Sequence, residues 1–567
     1  MMITQWAANA LKNHVPLEAD DISKRLETPP SPDMGDIAFP CFTLAKQFRK
    51  APQEIAQSIA GAWDHAHITA SAAGPYVNLT FDRGYYGSLM MEGLEQEKVP
   101  ETGKGIRVVI DMSSPNIAKP FGIGHLRSTM IGAALYHMHK LAGYDVVSVN
   151  HLGDWGTQFG KQIAAYKRWG DDERLSADPI GESLNLYVRF HEEAEHDETL
   201  EPEAREWFRK LEEGDGEARS LWAYFVDVSM KEFSRMYDRL NVRFDYTLGE
   251  SFYNDKMPAV VDSLKEKGLL VESDGALVVR LDEEGMPPCL ILKKDGTTIY
   301  PTRDLATAIY RHDEMKADRL LYVVGNEQRL HFQQVFAVLR RMGMDWADSC
   351  THVPFGLMKF EGKKMSTRRG KIVKLENVLD EAVERALAII NEKNPELESK
   401  QQVAEAVGIG AVIFGDLKNN RLNEVDFSLE DALNFDGETG PYVQYTYART
   451  QSVLAKGAAA YGTAEDAMEE TDPNAGAHHL GDAGWELLKL LTRFPEALER
   501  GVRNQEPSVL ARYALDVAQS FNQFYNKERI VIEDAQVRKA RLRLTRLAGR
   551  TIARTMGLLG IQTPERM

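Results

Sequence analysis

The stretch between residues 107 and 149 limits most strongly what this chain can fold into. It opens with RVVID, an apolar run typical of a buried strand, and a loop with proline and glycine follows. Apolar spacing then predicts a helix over residues 126–141, which Gly143 ends, and residues 146–149 predict a second strand. A strand, a helix and a strand in this order form a βαβ unit, which predicts an α/β fold with a Rossmann-type parallel sheet.

The chain divides around this unit into three predicted domains, because 567 residues are too many for one hydrophobic core. Residues 1–104 have the mixed pattern of a small α+β domain. Residues 105–375 contain the parallel sheet, which a charged helical insertion at about 165–250 interrupts. Helical periodicity dominates residues 376–567, which predicts an all-α C-terminal domain.

Individual elements can be predicted inside these domains. Apolar spacing through Ile55, Ile59 and Trp63 indicates a helix, and residues 76–81 alternate like a strand. After the insertion, strand-like runs return at residues 276–281 and 320–324.

The net charge of −17 argues on its own against a nucleic-acid partner. The cations are unevenly distributed, however. One group lies within residues 359–374, and another lies within residues 538–554, which no acidic residue interrupts. Both runs fit solvated faces and contact with a polyanion about equally well, so charge leaves the class of partner open.

The three cysteines, Cys41, Cys289 and Cys350, are far apart and include no CxxC pair. This pattern argues against a disulfide framework and a structural zinc site, and it fits buried thiols in a reducing compartment. The N-terminal residues lack the features of a secretory signal, and no apolar run is long enough to span a bilayer. We therefore expect a cytoplasmic protein without membrane contact.

The loop after the first strand carries the first motif, SSPNIAKPFGIGH. Gly122 and Gly124 let the backbone approach a ligand closely, and the N-terminus of the following helix can bind an anion. A dinucleotide site is disfavoured, because Arg127 occupies the place of that fingerprint's third glycine and no acid follows the second strand.

Cations on two separate segments suit the charge of a triphosphate. Lys119 and His125 flank the predicted helix start, where they could neutralise charge that grows during displacement at phosphorus. The second segment, KKMSTRRG at residues 363–370, is a basic loop that can close over bound phosphates. Alone, His125 fits a capping histidine and the loop fits a surface turn, but their presence in one chain favours the functional interpretation of both.

These two segments resemble the signatures of class I aminoacyl-tRNA synthetases. The turn that ends in Gly124-His125 is similar to the first signature, and KMST at residues 364–367 is similar to the mobile Lys-Met-Ser-Lys loop. The blocks SSPNIAKP, GHLRST and NHLGDWGTQFG narrow the resemblance to the arginyl-tRNA synthetase family. Similarity continues in YPTRD, VGNEQ, GPYVQY and the terminal PERM, so it covers essentially the whole chain.

The sequence departs from the family's pattern at three positions. Gly122 stands where the family commonly has histidine, Thr367 replaces the last lysine of the mobile loop, and Asp111 stands where glutamate is frequent. Arg368 and Arg369 stand beside Thr367, and Lys119 could supply part of the missing charge. These changes leave open how the cations share the work.

The resemblance implies a ligase that activates L-arginine with ATP and Mg²⁺ and joins it to the 3′ end of tRNA-Arg. Catalysis would consist of positioning and charge neutralisation, without a protein nucleophile. The implied catalytic residues are His125, Lys119 and Lys364, and no metal-ligating residue is implied. The implied arginine-binding residues are Asp111, Asn116, His125, Tyr300, Asp304 and Gln328. The implied ATP-binding residues are Gly122, Gly124, His125, Gly325, Glu327, Met358, Lys364 and Ser366.

Tyr300 and Asp304 can also be interpreted without the family. Pro301 marks a helix start, so residues four apart face the same side. A guanidinium requires carboxylates in its plane, which Asp304 can supply. An acid in the first helical turn also complements the helix dipole, and that is the commoner explanation when the family is set aside.

The resemblance further implies contacts with tRNA. Tyr442, Tyr445 and Met567 match positions near the anticodon, where single-stranded bases are read by stacking, although a tyrosine pair at helical spacing is more often part of a core. Asn78 and Phe81 match positions near the tRNA elbow. Members of the family typically bind tRNA before they activate arginine, and we expect a monomer.

Other functions remain open at this point. A cysteine enzyme of the same class should show zinc-binding cysteines, and a glutamate enzyme should place cations at Asp304 and Asp111. A paralogue that binds tRNA or ATP without aminoacylation would not need His125, Lys364, Tyr300 and Asp304. A nucleotidyltransferase would have no use for the helical C-terminal domain. The basic run at residues 538–554 is a candidate for phosphate contact.

Overall fold

The computed structural model describes residues 2–117, 119–360, 373–462 and 477–567. The elements of its N-terminal part are α1 (Met2–Leu11), α2 (Ala19–Ser23), β1 (Ile37–Pro40), α3 (Ala45–Phe48), α4 (Pro52–Gly61), β2 (Ile68–Ala73), β3 (Tyr76–Phe81) and α5 (Arg83–Glu95). β3 pairs antiparallel with β1 on one side and with β2 on the other, so it is the central strand. The expected strand and helix are confirmed, although α4 ends before Trp63.

A parallel sheet forms the centre of the middle part. Its strands follow the order β11-β10-β4-β5-β6, and α6 connects β4 to β5, so the predicted βαβ unit is confirmed. Gly143, with φ +85°, turns the chain after α6 as expected. The elements are β4 (Arg107–Asp111), α6 (Ile123–Leu141), β5 (Asp145–Asn150), α7 (Thr157–Trp169), α8 (Asp172–Ala177), α9 (Pro179–Glu193), α10 (Leu200–Glu213), α11 (Gly216–Arg239), β6 (Tyr246–Thr247), α12 (Met257–Glu266), β7 (Leu270–Ser273), β8 (Ala276–Val279), β9 (Cys289–Leu292), α13 (Tyr300–Asp313), β10 (Arg319–Gly325), α14 (Arg329–Arg341), β11 (Cys350–Phe355) and β12 (Met358–Phe360).

The predicted insertion corresponds to the helices α7 to α11, which lie between β5 and β6. The strand-like run at residues 276–281 does form a strand, but β8 belongs to a separate antiparallel sheet in the order β7-β8-β9. The cause is local. Asp274 and Gly275 have φ +51° and +80°, which is the backbone of a tight hairpin turn, and this turn pairs β8 with its predecessor β7.

The C-terminal part is helical, as predicted, except for one short strand that pairs with β12. Its elements are α15 (Leu375–Lys393), α16 (Lys400–Leu417), β13 (Val425–Phe427), α17 (Leu429–Ala432), α18 (Gly440–Tyr461), α19 (Asp482–Leu491), α20 (Phe494–Asn504), α21 (Ser508–Lys527) and α22 (Ala535–Leu558). Among the described residues, no helix has both the length and the apolar character that crossing a membrane requires. Cys41, Cys289 and Cys350 are buried free thiols, as expected.

The basic run at residues 538–554 lies on α22 and serves the fold. Arg543 and Arg546 both form ion pairs with Glu95, at 2.8 and 3.0 Å, and Arg550 pairs with Glu97. These ion pairs join the C-terminal end of α5 to α22. Arg543 and Arg546 share one carboxylate, so part of their positive charge stays unbalanced, and phosphate contact by this run stays a prediction.

Candidate active site

The carboxyl ends of three neighbouring parallel strands define the candidate site. β4 ends at Asp111, β5 ends at Asn150 and β10 ends at Gly325. Ligands of open parallel α/β sheets bind beyond this edge, where the connecting loops and helix N-termini meet. The edge therefore brings together residues from the loop after β4, from α6 and from the turn after β10.

The backbone turns sharply after β4. Ser113 and Ser114 have φ +73° and +51°, a left-handed conformation that a residue other than glycine adopts only when its surroundings hold it. Asn150 Oδ1 accepts the Ser114 N–H at 3.2 Å, and the Ser113 hydroxyl lies 2.8 Å from the Tyr237 hydroxyl. Asn150 Nδ2 donates to that same hydroxyl at 3.0 Å. Buried hydrogen bonds thus fix the strained turn in one shape.

His125 lies in the first turn of α6 and caps it. The Gly122 N–H donates to His125 Nδ1 at 3.1 Å, so in the neutral ring the hydrogen is on Nε2, which can donate to a ligand. Burial lowers the pKa of His125 to about 4; the Gly122 hydrogen bond opposes this shift and the charge of Lys119 adds to it. The ring is therefore a neutral donor at neutral pH. Lys119 Nζ lies 5.3 Å from the centre of the Tyr187 ring in the insertion.

Asp111 is nearly buried and has partners within the protein. Its Oδ2 accepts a hydrogen bond from Arg311 Nη1 at 2.7 Å, and its Oδ1 accepts one from the Ser114 hydroxyl at 2.9 Å. Arg311 is 1% exposed. The family resemblance implied that the Asp111 carboxylate binds the amino end of the substrate arginine. Its negative charge is balanced by the Arg311 guanidinium of the protein itself, and this contact also joins α13 to β4.

Asn116 lies beside the strand edge, where it forms a parallel bridge with Gly153. A Cβ at Gly153 would lie 2.3 Å from Asn116 Oδ1, so only glycine permits this approach. Asn116 is half-buried, so its amide is held at the surface of the site.

An acidic pocket lies at the start of α13. Tyr300 and Asp304 are on its first turns, and Asp304 Oδ2 accepts a hydrogen bond from His331 Nε2 at 2.5 Å. A second carboxyl group, that of Glu250, is close by. Burial raises the pKa of Glu250 to about 7; the charge of Asp304 adds to the rise, and Arg303, 3.5 Å away, opposes it. Two neighbouring carboxyl groups attract a cationic ligand, although Arg303 and His331 already contact them.

The pKa shifts of Tyr300 and His151 show which charged groups lie near these two side chains. Partial burial of its hydroxyl, and then the charge of Glu250, raise the pKa of Tyr300, although 62% of the residue is exposed. Burial lowers the pKa of His151, whereas the charges of Asp111 and Asp304 act in the opposite direction. The carboxylates of β4 and α13 therefore both act electrostatically on one buried imidazole.

The nucleotide side of the predicted site lies around the ends of β10 and β11. A Cβ at Gly325 would lie 2.7 Å from Glu327 Oε2, which shows that this carboxylate folds over the strand end. Glu327 and Gln328 are exposed, as is Gly124, whereas Met358 is 6% exposed. An exposed carboxylate above a bare backbone is suited to the hydroxyl groups of a ribose.

The predicted basic loop at residues 363–370, with Lys364 and Ser366, lies outside the described residues. The chain that follows it is described. The Ile123 N–H donates to the Val373 carbonyl at 3.1 Å, and the Leu375 N–H donates to the Phe121 carbonyl at 2.9 Å. The segment after the basic loop is therefore hydrogen-bonded to the start of α6, beside His125.

The C-terminal helices enclose a second candidate site, a cavity of about 550 Å³ with Tyr442, Tyr445 and Met567 among its lining residues. Tyr445 is 42% exposed, and the Arg449 guanidinium lies 5.0 Å from the centre of its ring. Asn522 donates to the Tyr442 hydroxyl at 3.0 Å and accepts a hydrogen bond from Arg449. The tyrosines are thus pocket walls and not simply core residues.

Asn78 and Phe81 lie on the central strand of the N-terminal sheet. They are 3% and 2% exposed, because β3 is the central strand and is buried on most of both faces. The Phe81 ring packs against Tyr86 at 4.8 Å. Contact of these two side chains with the tRNA elbow stays a prediction.

Sequence reasoning missed Glu250, Arg311 and Tyr237. Each reaches the site from a distant part of the chain, and Arg311 contacts a residue 200 positions away. No local pattern distinguishes these residues from other members of charged or amphipathic helices and turns. The one available signal is that the buried carboxylate Asp111 must have a cationic partner somewhere.

Comparison with known proteins covers all three parts of the chain. The family described as tRNA synthetases class I (R), catalytic domain, matches residues 88–429. The DALR anticodon binding domain matches residues 443–567, and the arginyl tRNA synthetase N terminal domain matches residues 2–81.

The similar proteins include an arginine–tRNA ligase of Streptococcus pneumoniae (strain Taiwan19F-14) and one of its serotype 4 strain TIGR4. Both are 52% identical over 558 residues, which is 97% of each chain. The arginyl-tRNA synthetase of Thermus thermophilus matches with a TM-score of 0.82 and 27% identity, covering 100% of this chain and 99% of that one. The Plasmodium falciparum arginyl-tRNA synthetase shares the fold, with a TM-score of 0.80, 24% identity and the same coverage.

The sheet edge with its glycine-histidine helix start and acidic pocket agrees with these matches. Half of all residues are identical to those of the bacterial relatives, and the catalytic-domain family alone spans more than half of the chain. This chain belongs to the arginyl-tRNA synthetase family of class I tRNA synthetases.

Proposed function

We propose that the chain is an arginine–tRNA ligase: it activates L-arginine with ATP and transfers it to the 3′ end of tRNA-Arg, releasing pyrophosphate and then AMP. The observation that carries this proposal is the acidic pocket of Asp304, Glu250 and Tyr300 at the same sheet edge as the start of α6. A pocket with an excess of carboxylates selects a cationic side chain, and a helix N-terminus beside it suits phosphate.

The arginine side chain would lie between Asp304 and Glu250, with Tyr300 covering the guanidinium and Gln328 at the rim. Asn116 would bind the polar end of the amino acid. Asp111 would act on the amino group mainly through Ser114, because Arg311 already occupies one carboxylate oxygen. This distribution of charge gives the substrate one orientation, with its carboxylate toward His125.

In the first step the arginine carboxylate attacks the α-phosphorus of ATP, and pyrophosphate leaves. The neutral His125 ring donates from Nε2 to oxygens whose negative charge grows, and the backbone at Gly122 and Gly124 lets the phosphates approach α6. Lys119 and Lys364 add positive charge, and Ser366 a hydroxyl. Gly325 and Glu327 hold the ribose, and the backbone near Met358 borders the adenine. A ribose hydroxyl of the tRNA then attacks the activated carbonyl.

Mg²⁺ would arrive with ATP as a ligand of its phosphates. Within the described ranges no group of three or more His, Cys, Asp or Glu side chains could hold a metal ion. Phosphate oxygens and water would therefore supply most of the ligands, which is the usual arrangement for this ion.

The C-terminal cavity would take an anticodon base stacked on Tyr445, with Tyr442 and Met567 at its walls. Its volume of about 550 Å³ is sufficient for a nucleobase, and Arg449 adds a cation beside the ring. The work is thus divided among residues 1–104 as an accessory tRNA-binding domain, 105–375 as the catalytic domain and 376–567 as the anticodon-binding domain.

We further propose that the enzyme acts as a monomer in the cytoplasm, which the three buried free thiols support. Light scattering of the purified protein measures the first point. A mass of twice the chain's 63.8 kDa would overturn it.

The test of the function is charging of total tRNA with each of the twenty amino acids in turn. Arginine alone is expected to become attached, in an ATP-dependent manner. If another amino acid becomes attached, the enzyme has a different amino-acid specificity. If none becomes attached, the protein is not an aminoacyl-tRNA ligase. Pyrophosphate exchange with and without tRNA separates activation from transfer.

A further inference from the structure

A buried ion pair joins the catalytic part to the C-terminal helices. Arg127 lies in α6 two residues after His125, and its Nε is 2.8 Å from Oδ1 of Asp416 in α16. The two side chains are 1% and 0% exposed. Within the described parts of the chain, neither Asp416 carboxylate oxygen has a hydrogen-bond partner, so the contact with Arg127 is an ion pair.

The same guanidinium also binds two backbone carbonyls. Arg127 Nη1 donates to the carbonyl of Gly356 at 2.7 Å and to that of Asn423 at 2.8 Å. Gly356 joins β11 to β12, two residues before Met358, and Asn423 precedes β13, the strand that pairs with β12. A Cβ at Gly356 would lie 2.4 Å from the Asn423 carbonyl oxygen, so these two segments are already in close contact. Three separate parts of the chain therefore meet at one side chain.

The value of this arrangement is geometric. A buried ion pair usually contributes no more stability than well-packed apolar residues of the same volume, because desolvation offsets the attraction. A guanidinium, however, presents its donors in a rigid plane and fixes several acceptors in set directions, which a lysine ammonium cannot do. Arg127 thus sets the distance from α16 both to the start of α6 and to the turn that precedes Met358.

We propose that Arg127 is a positioning residue for arginine activation: held by Asp416, it keeps His125 and the 356–358 turn in register, and it transmits the position of the C-terminal helices to the nucleotide side of the site. This proposal rests on the proposed function. Arg127 does not touch the substrates, and it acts through α6 and the backbone.

The test measures arginine-dependent pyrophosphate exchange in the presence of tRNA. Arg127→Lys keeps the positive charge but loses the planar set of guanidinium donors. A displacement of catalytic groups by about 1 Å lowers rates on the order of 100-fold. We expect kcat to fall by at least about tenfold, with the KM for arginine and the Kd for tRNA within about twofold of wild type. An unchanged kcat, or a loss confined to either binding constant, would overturn the proposal.

A double variant addresses the possibility that a single change only leaves a charge buried without its partner. Arg127→Met with Asp416→Leu removes both charges, so the fold should be retained. The folded double variant is expected to show the same fall in kcat. If it exchanges at the wild-type rate, the pair is structural and the proposal is wrong.

Asp36→Asn is the matched control. Asp36 accepts a hydrogen bond from Lys489 at 2.8 Å in an ion pair that is 9% and 7% exposed, but this pair joins the N-terminal part to α19 and does not touch the parallel sheet. The Asp36→Asn variant should have a lower midpoint of thermal unfolding and an unchanged kcat. If kcat of the Asp36→Asn variant falls as much as that of Arg127→Lys, any loss of a buried ion pair lowers activity, and the proposal is overturned. Wild-type protein without arginine-dependent exchange would instead refute the proposed function.

Discussion

The site at the sheet edge and the cavity in the C-terminal helices are built in different ways. At the sheet edge, polar groups such as Ser113, Tyr237 and Asn150 bind one another through buried hydrogen bonds. In the cavity, half-exposed rings such as Tyr445 form the walls, and the surroundings are open. The first construction places donors where charge will develop, and the second offers flat faces to a base. Changes in the first should therefore alter activation, and changes in the second should alter only tRNA affinity.

The largest effect is expected for His125→Ala. Loss of one preorganised donor to a growing negative charge should lower kcat for arginine activation by about 10²- to 10³-fold. The affinity for tRNA, measured by filter binding, should not change, because the cavity lies in another domain. His312→Ala is the control, since His312 is on α13 at the end opposite Tyr300. Near-normal activation by the His125 variant would remove this residue from the site.

Asp304→Asn should have a nearly equally large effect, but on the KM for arginine instead of kcat. An amide cannot balance the guanidinium, so the KM for arginine is expected to rise about 100-fold, while the KM for ATP changes little. Asp313→Asn, at the far end of the same helix, is the matched control and should leave both constants unchanged. Equal increases for arginine and ATP would contradict the assignment of Asp304 to the guanidinium pocket.

Tyr445→Ala tests the other side of the comparison. Loss of base stacking should raise the KM for tRNA by about tenfold in aminoacylation, without changing the KM for arginine. Tyr461 is an exposed tyrosine near the end of the same helix, and Tyr461→Ala should have no such effect. If the two variants behave alike, the cavity does not bind a base.

The smallest predicted effect is a dependence on pH. Burial raises the pKa of Glu250 to about 7, so the carboxyl group takes up a proton as the pH falls below that value and loses its attraction for a guanidinium. The KM for arginine should therefore rise roughly fivefold between about pH 8 and pH 6. Glu250→Gln should show a higher KM that no longer varies over this range. A KM that still follows pH in the variant would assign the titration to another group.

The parts that could be predicted from the sequence are those with local causes. The βαβ unit depends on an apolar run, a helical period and Gly143, all within one stretch, and the structure confirms it. The pair Tyr300 and Asp304 at the start of α13 follows from the same kind of local pattern, whereas α6 begins at Ile123, three residues before the predicted start.

Long-range packing accounts for what the sequence did not reveal. Glu250 and Arg311 enter the site from separate turns and helices, and neither has a periodic signal of its own. Phe81 has the alternation of a half-exposed strand, yet β3 has neighbours on both sides and is covered on most of both faces. The arginines of α22 gave a charge run whose partners, Glu95 and Glu97, lie more than 400 residues earlier.

The ion pairs between α22 and the C-terminal end of α5 affect how salt will act on this enzyme. Added salt releases RNA from cationic surfaces, and the slope of affinity against ionic strength is normally taken to count phosphate contacts. Here the same ions also screen Arg543 and Arg546 from Glu95, both partly exposed. A salt titration will therefore combine dissociation of RNA with loosening of the N-terminal domain, and its slope will overstate the number of phosphates that the protein holds.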